Sequence, residues 1–399
     1  MKLDRFVPPL AFALITSALI VIPAERSRDA SDVLSFFVTF LTAVAIFALI
    51  TLGLNIQWGY TGIFNFGVAA FFLVGAFTAA VFTKDRPAEG DLSTYVAGFG
   101  ERLDFIPGVG SDQWLPFLIA ILAAATFSGL LALFLSLPAL RLRQDYLAIA
   151  TIGVAELVRR VAIEERGLVN GTRGLPAIPA PLEAGIPTPW GQVLTEPNEY
   201  KFIILGFAVF VLVVTFVLVE RVVRSPWGRV LRAIREDELT TTASGKNVFA
   251  FKAQAFVLGA MVMGVGGAVF SFQRGAIAPE NFNHFFGTFL IWAMLIVGGS
   301  GGSRGAIFGA YIVWGFWRTT ILLQTYDLPA LIETRIFFIR DFAIGAMIVL
   351  ALLLRPRGLL PEERRVSLWL ERLRLRAPPR DEPEAPGEQP ASEGRAGAE

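Results

Sequence analysis

Charged and Pro- or Gly-rich stretches divide this chain into ten predominantly apolar segments, at residues 7–23, 33–56, 62–83, 114–137, 145–163, 201–221, 248–272, 286–300, 304–323 and 335–354. A helix of roughly 20 apolar residues spans a hydrocarbon core of about 30 Å. Inside lipid the backbone must satisfy its own hydrogen bonds. The pattern therefore predicts an all-α, polytopic transmembrane helical bundle of about ten spans. Two segments fit less well: the fifth carries Glu156, Arg159 and Arg160, and the eighth is short and ends in glycines.

The positions of Lys and Arg set the orientation. With Lys2 and Arg5 in the cytoplasm, ten spans bring Arg141, Arg143, the stretch Arg221–Lys246, Arg304 and the tail from Arg355 to the same side. The long loops 84–113 and 164–200 fall outside and hold only five Lys or Arg, whereas 221–246 holds six in 26 residues. Both termini are thus expected in the cytoplasm. The start, Met1–Arg5 followed by apolar residues to Ala24, also has the outline of a cleavable leader. Pro8 and Pro9 interrupt it and Ile22-Pro23-Ala24 is a poor cleavage site, so the segment reads as a retained span. Residues 1–360 form the transmembrane domain, with a cytoplasmic loop at 224–247. Residues 361–399 form a cytoplasmic tail; its end is rich in Pro, Glu, Ala, Gly and Arg and is expected to be largely disordered.

Composition narrows the function. The chain is 54% hydrophobic and 17% charged, against about a quarter charged in soluble domains, with a mean hydropathy of +0.58. The net charge of +1 gives no reason to expect a nucleic-acid partner. There is no cysteine, and His284 is the one histidine. Thiolate and histidine catalysis and a resident metal or other cofactor are therefore not expected, and no cluster suggests an integral-membrane enzyme.

The loop after the sixth segment reads Arg224-Ser-Pro-Trp-Gly-Arg-Val-Leu-Arg-Ala-Ile-Arg-Glu-Asp-Glu238, then Leu-Thr-Thr-Thr-Ala-Ser-Gly245. Ser225-Pro226 suits a helix start, and Gly245 suits a C-cap. At helical spacing Val230, Leu231 and Ile234 share one arc and Arg229, Arg232 and Arg235 another. One or two short amphipathic helices are expected on the cytoplasmic face, either touching anionic lipid or docking a cytoplasmic partner.

Gly228–Gly245 resembles the cytoplasmic loop of the branched-chain amino acid ABC permeases (the LivM-like subunits), G-R-A-L-x-A-I-R-E-[DN]-E-x-A-A-x-x-x-G. Thr240, Thr241 and Thr242 depart from its Ala-rich stretch. Leu52–Gly62, Phe66–Ala76, Leu140–Thr151, Asn170–Pro176 and Leu295–Gly309 resemble further blocks of that family, in order. The resemblance implies a non-catalytic permease subunit of an importer in the inner (plasma) membrane. It also implies a second related permease subunit, two cytoplasmic ATPase subunits and a solute-binding protein as partners. Gly228, Arg229, Leu231, Ile234, Arg235, Glu236, Asp237, Glu238 and Gly245 would form the ATPase-coupling element. The family also carries urea and short-chain amides, which stand as alternative cargo.

Polar residues at bilayer depth usually face the protein interior. Asn55, Gln57, Tyr60, Thr61 and Asn65 cluster among glycines between the second and third segments and are the candidate substrate pathway, with tight helix packing as the alternative. Gly301, Gly305 and Gly309 form a small-residue stripe that favours packing or a tight hairpin. The run lacks the Gly-Lys-Ser/Thr ending of a phosphate loop. An ion-coupled transporter acting alone would need a coupling carboxylate, for which Glu156 is the candidate. Its spacing from Arg160 reads first as a structural ion pair. Asn170–Pro176 and Gly185–Trp190 are candidate docking loops on the outer face.

Overall fold

The computed structural model describes residues 7–26, 30–84, 115–179, 181, 197–323 and 335–362. Regular structure among them is helical, with one isolated β-bridge between Leu175 and Ile277. The helices are α1 (Val7–Arg26), α2 (Ala30–Leu54), α3 (Val68–Thr83), α4 (Leu115–Ala139), α5 (Gln144–Glu164), α6 (Arg166–Val169), α7 (Pro197–Arg224), α8 (Pro226–Glu236), α9 (Glu238–Ala243), α10 (Val248–Arg274), α11 (Leu290–Gly298), α12 (Ser303–Leu323) and α13 (Ile336–Leu354). Each of the ten segments read from the sequence overlaps one of them.

Five helical stretches are long and apolar enough to cross a membrane: Ser31–Gly59, Pro116–Ala139, Tyr200–Arg224, Val248–Arg274 and Ile336–Leu354. The pair Phe285–Gly298 and Ser303–Leu322, bent by 119°, makes a sixth if counted as one span. This is a multi-pass membrane bundle, although length and hydropathy alone support fewer than ten crossings. The shortfall has physical causes. At 1.5 Å per residue the 16 residues of α3 reach only about 24 Å. The charges of α5 lower its hydropathy.

Helix α10 is the centre, with 78% of its apolar window buried against α2, α3 and α4. The α11–α12 hairpin and α7 pack on α2, and α1 lies along α12. There Phe12 stacks on Tyr311, and Thr16 shares a 2.7 Å hydrogen bond with its hydroxyl. Helix α13 is peripheral, with only 17% of its window buried. Its exposed Phe338, Phe342, Leu353 and Leu354 suit a chain whose solvent is lipid. The glycine run forms the predicted hairpin. A Cβ on Gly298 would sit 2.0 Å from the Gly305 carbonyl and 2.8 Å from Gly309 Cα, so the two arms meet backbone to backbone.

Candidate functional site: a broken-helix core tied to an amphipathic loop helix

Helix α2 does not end cleanly. It widens into a π turn at Asn55–Gly59, and the chain then runs without helix from Ile63 to Gly67 before α3. Such turns leave backbone groups to be met by other partners, and the five polar residues expected here lie among them. All five are buried. Asn55 Oδ1 accepts from the Gly301 amide at 2.9 Å, so the break in α2 is bonded to the break between α11 and α12. Gln57 Nε2 donates to the Phe256 carbonyl of α10 at 2.7 Å, and its Oε1 accepts from Asn65 Nδ2 at 2.6 Å. Asn65 Oδ1 takes the Gly67 amide, and its carbonyl accepts from Trp292 Nε1 at 3.0 Å. Thr61 bonds back to the Ile56 carbonyl.

Tyr60 points elsewhere. Its hydroxyl lies 3.1 Å from Ser303 Oγ, which also donates to Glu220 of α7. The structure therefore joins Gln57 and Asn65 in one network, ties Asn55 separately to Gly301, and places Tyr60 with Ser303 and Glu220. Asn55 Nδ2 is buried without a partner among the described residues, a costly condition. Two further residues belong to this core and were not singled out from the sequence. Thr151 of α5 accepts from the Phe66 amide at 3.0 Å, and Thr288 donates to the Phe66 carbonyl at 3.3 Å. Lone threonines inside apolar helices carry no sequence signal until the fold shows the broken segment beside them.

The loop 224–247 forms two helices, α8 and α9, parted at Asp237. Its carboxylate accepts from the Leu239 and Thr240 amides and the Thr240 hydroxyl. The Thr240 hydroxyl, and with it the amides of Thr240 and Leu239, hold the Asp237 carboxyl below its usual range. The threonines that depart from the family pattern thus serve α9. Thr241 and Thr242 bond back to the carbonyls of Asp237 and Glu238. Gly245 follows with φ +79°, as the end of this helix requires.

The amphipathic arc turns inward. Leu231 is 0% and Ile234 4% exposed, packed in the chain's own core. Gly228 is buried, and a Cβ there would lie 1.9 Å from the Val223 carbonyl. Arg235 also reaches in: its Nη1 donates to the Gly59 carbonyl, and Nη2 lies 2.9 Å from Glu362 Oε2. Arg232 meets the other oxygen of Glu362 at 3.1 Å and lies over the Tyr60 ring. The segment carrying Glu362 pairs with α11, the Leu359 and Leu360 amides donating to the carbonyls of Val297 and Gly298, each at 2.9 Å. Arg229, Glu236, Asp237, Glu238 and Gly245 remain exposed. So does Leu239, at 82% the most exposed large apolar side chain of this loop.

On the opposite face Glu156 is the hub of an ion cluster, meeting Arg159 at 2.8 Å, Arg160 at 2.9 Å and His284 at 3.2 Å. Arg159 continues to Glu280 at 3.3 Å. The cluster fastens α5 to the loop after α10. Asn170–Pro176 is part of the same scaffold, since Leu175 and Ile277 exchange backbone bonds of 2.8 and 3.1 Å. Gly185–Trp190 lies outside the described residues. No group of three or more potential metal ligands occurs among the described residues.

Comparisons with known proteins place this architecture. The family model described as "Branched-chain amino acid transport system / permease component" matches residues 36–353. The high-affinity branched-chain amino acid transport system permease protein LivM of Salmonella typhimurium is 28% identical over 374 residues, 88% of this chain and 75% of that protein. Its Escherichia coli counterpart is 27% identical over 342 residues, 81% and 69% of the two chains. A probable LivM permease of Methanocaldococcus jannaschii is 25% identical over 338 residues, 80% and 91%. No solved structure gives a significant match. With most of its length matched and the family's blocks in order along one bundle, the chain belongs to the permease component family of branched-chain amino acid transport systems.

Proposed function

We propose that the chain is the permease subunit of a binding-protein-dependent ABC importer carrying branched-chain or other neutral amino acids across the inner membrane. It acts with a second related permease, two cytoplasmic ATPase subunits and an extracytoplasmic solute-binding protein, and hydrolyses no ATP itself. The names of the LivM relatives support the cargo. The energy-coupling part rests on one observation: Arg235, within the cytoplasmic loop, bonds the carbonyl of Gly59 in the broken segment of α2.

In this reading the exposed side of α8 and α9 faces the ATPase. Leu239 is the apolar anchor, and Arg229, Glu236, Asp237 and Glu238 set its register, as small apolar anchors with a charged rim do at protein interfaces. Gly228, Leu231, Ile234 and Arg235 have the complementary task of fastening α8 to the bundle. Displacement of α8 is passed on through Arg235 to the π turn, and through Glu362 to the α11–α12 break. The polar core of Asn55, Gln57, Tyr60, Thr61 and Asn65 is the part of the translocation pathway that responds. Glu156 is already engaged by two arginines, which argues against a proton-coupling carboxylate.

Reconstitution tests the proposal. Proteoliposomes holding both permeases and both ATPases, supplied with loaded binding protein, should accumulate radiolabelled leucine only with ATP. Dissipating the proton gradient should leave uptake unchanged. Accumulation driven by an ion gradient with this chain alone would refute the proposal.

A further inference from the structure

At the outer ends of α10, α12 and α13 lies a cavity of about 420 Å³, within the roughly 300–1,000 Å³ of small-molecule sites. It is remote from the coupling helix. Helix α10 starts beside α9 at Val248 and reaches this cavity at Arg274, and 27 residues at 1.5 Å per residue span about 40 Å.

Its walls combine three kinds of group. Arg274 and Arg340 supply positive charge. Arg274 has no carboxylate partner among the described residues; its guanidinium lies over the Phe270 ring at 5.4 Å. Arg340 is 9% exposed, and its guanidinium carbon lies 3.5 Å from the centroid of the Trp317 ring. Its Nε and Nη2 both donate to Asp341 Oδ1, at 3.0 and 2.9 Å. Nη1 has no partner among the described residues. Trp317, Phe285 and Phe286 form an aromatic wall, and Asp341 and Glu280 place carboxylates on the rim. The Glu280 carboxylate also meets Arg159.

Charge and shape together specify a ligand class. A guanidinium with free donors prefers a carboxylate, with which it makes short charge-assisted bonds; Arg274 stands exposed at the cavity mouth and Arg340 is buried behind it. A purely apolar solute would leave Arg274 without the carboxylate it lacks and Arg340 Nη1 without an acceptor, and a dication would be repelled by the two guanidiniums. The aromatic wall takes an aliphatic side chain, and the rim carboxylates take an ammonium group. We infer that this cavity is a receiving site for a zwitterionic α-amino acid with an apolar side chain. Its carboxylate lies on Arg274 and Arg340, and its side chain against Trp317 and Phe286. The inference rests on the proposed amino-acid cargo and deepens it by placing a selective site in the permease, apart from any binding protein.

The test uses the full chain in lipid nanodiscs, with Trp fluorescence and calorimetry as readouts. Three probes are compared: L-leucine, L-leucinamide (no carboxylate) and 4-methylpentanoate (no ammonium). Leucine should bind saturably, and each analogue about ten-fold or more weaker, a difference of about 1.4 kcal/mol. Arg274→Gln should weaken leucine about ten-fold and remove its advantage over leucinamide, whereas Arg274→Lys should retain part of it. The probe series on the unaltered chain stands even if Arg274→Gln fails to fold. Leucine and leucinamide binding equally, or no saturable binding, would overturn the site. Those results alongside ATP-driven leucine uptake by the assembled transporter would remove the site alone. Carboxylate selectivity in the chain without ATP-driven uptake would remove the proposed function alone.

Discussion

Replacing Gly59 by alanine puts a methyl group 1.9 Å from Asn55 Oδ1 and 2.6 Å from the Gly301 amide nitrogen. Real Cβ atoms do not approach that closely, so something must move. The Asn55 amide is the more mobile of the two, but its Oδ1 holds the Gly301 amide at 2.9 Å. Swinging it away strands a buried backbone donor, which costs about 1–3 kcal/mol. Keeping it in place forces the α11–α12 break outward, an overpacking cost of about 1–3 kcal/mol. Partial relaxation draws on both, so about 2–5 kcal/mol is expected. At about 2 °C per kcal/mol for a chain of this size, the melting temperature should fall by roughly 4–10 °C. The control is Gly302→Ala, where no heavy atom lies within 4 Å of the new methyl; its melting temperature should equal that of the native chain. Melting followed by size-exclusion fluorescence in one detergent compares the three proteins. If Gly59→Ala melts with the native chain, the Asn55–Gly301 contact does not hold the two breaks together.

Three further outcomes are expected. Arg235→Gln and Glu362→Gln should each lower stability by about 1–2 kcal/mol, as charged hydrogen bonds at partly buried sites do, and the double variant should fall short of their sum by about 1 kcal/mol; thermal melts of the four proteins measure this, and full additivity would deny the contact. Leu239→Asp should leave the melt unchanged, because the side chain is 82% exposed, yet reduce co-purification of the ATPase subunits several-fold; undiminished recovery would remove Leu239 as the anchor. The Asp237 cap has a pH signature. Its folded pKa is depressed, so the stabilisation is present above the unfolded value and is lost as pH falls through the folded one. Hydrogen exchange should therefore find the Leu239 and Thr240 amides protected through the ordinary carboxylate range and open only below it, whereas loss of protection already within that range would contradict the cap.

Much of this was legible in the sequence, for identifiable reasons. Span-length apolar runs located the helices, and glycine spacing foretold the α11–α12 hairpin. Polar residues among glycines marked the break after α2. Their partners were not legible. Asn55 meets Gly301 and Arg235 meets Gly59 across 246 and 176 positions, and periodicity carries no information about contacts so remote. Helical spacing also says which residues share an arc, not what the arc packs against. Leu231 and Ile234 suited a partner's groove as well as their own bundle, and only the fold places them inward. Leu239 escaped notice for the converse reason. It stands beyond the Asp237 cap, with only Ala243 as an apolar neighbour at helical spacing to draw attention to it.

The inward turn of α8 bears on how a rigid bundle can be driven from its surface. Well-packed helices transmit force but resist bending, so a surface helix resting only on apolar contacts could be lifted without disturbing the interior. Here the loop ends in a guanidinium bonded to a carbonyl of the π turn, where α2 is least regular. Glu362 ties the same guanidinium to a segment bonded to α11 at Val297 and Gly298. Both irregular points of the core, the break after α2 and the break between α11 and α12, are thus attached to one arginine and bonded to each other through Asn55 and Gly301. A motion of α8 therefore meets the bundle where regular helix hydrogen bonding is already interrupted. Rearrangement there requires exchanging a few side-chain bonds rather than unwinding a helix. That placement accounts for an arginine at position 235 beside the apolar inward arc: leucine there would bury as well, but would leave the Gly59 carbonyl without this donor and Glu362 with Arg232 alone.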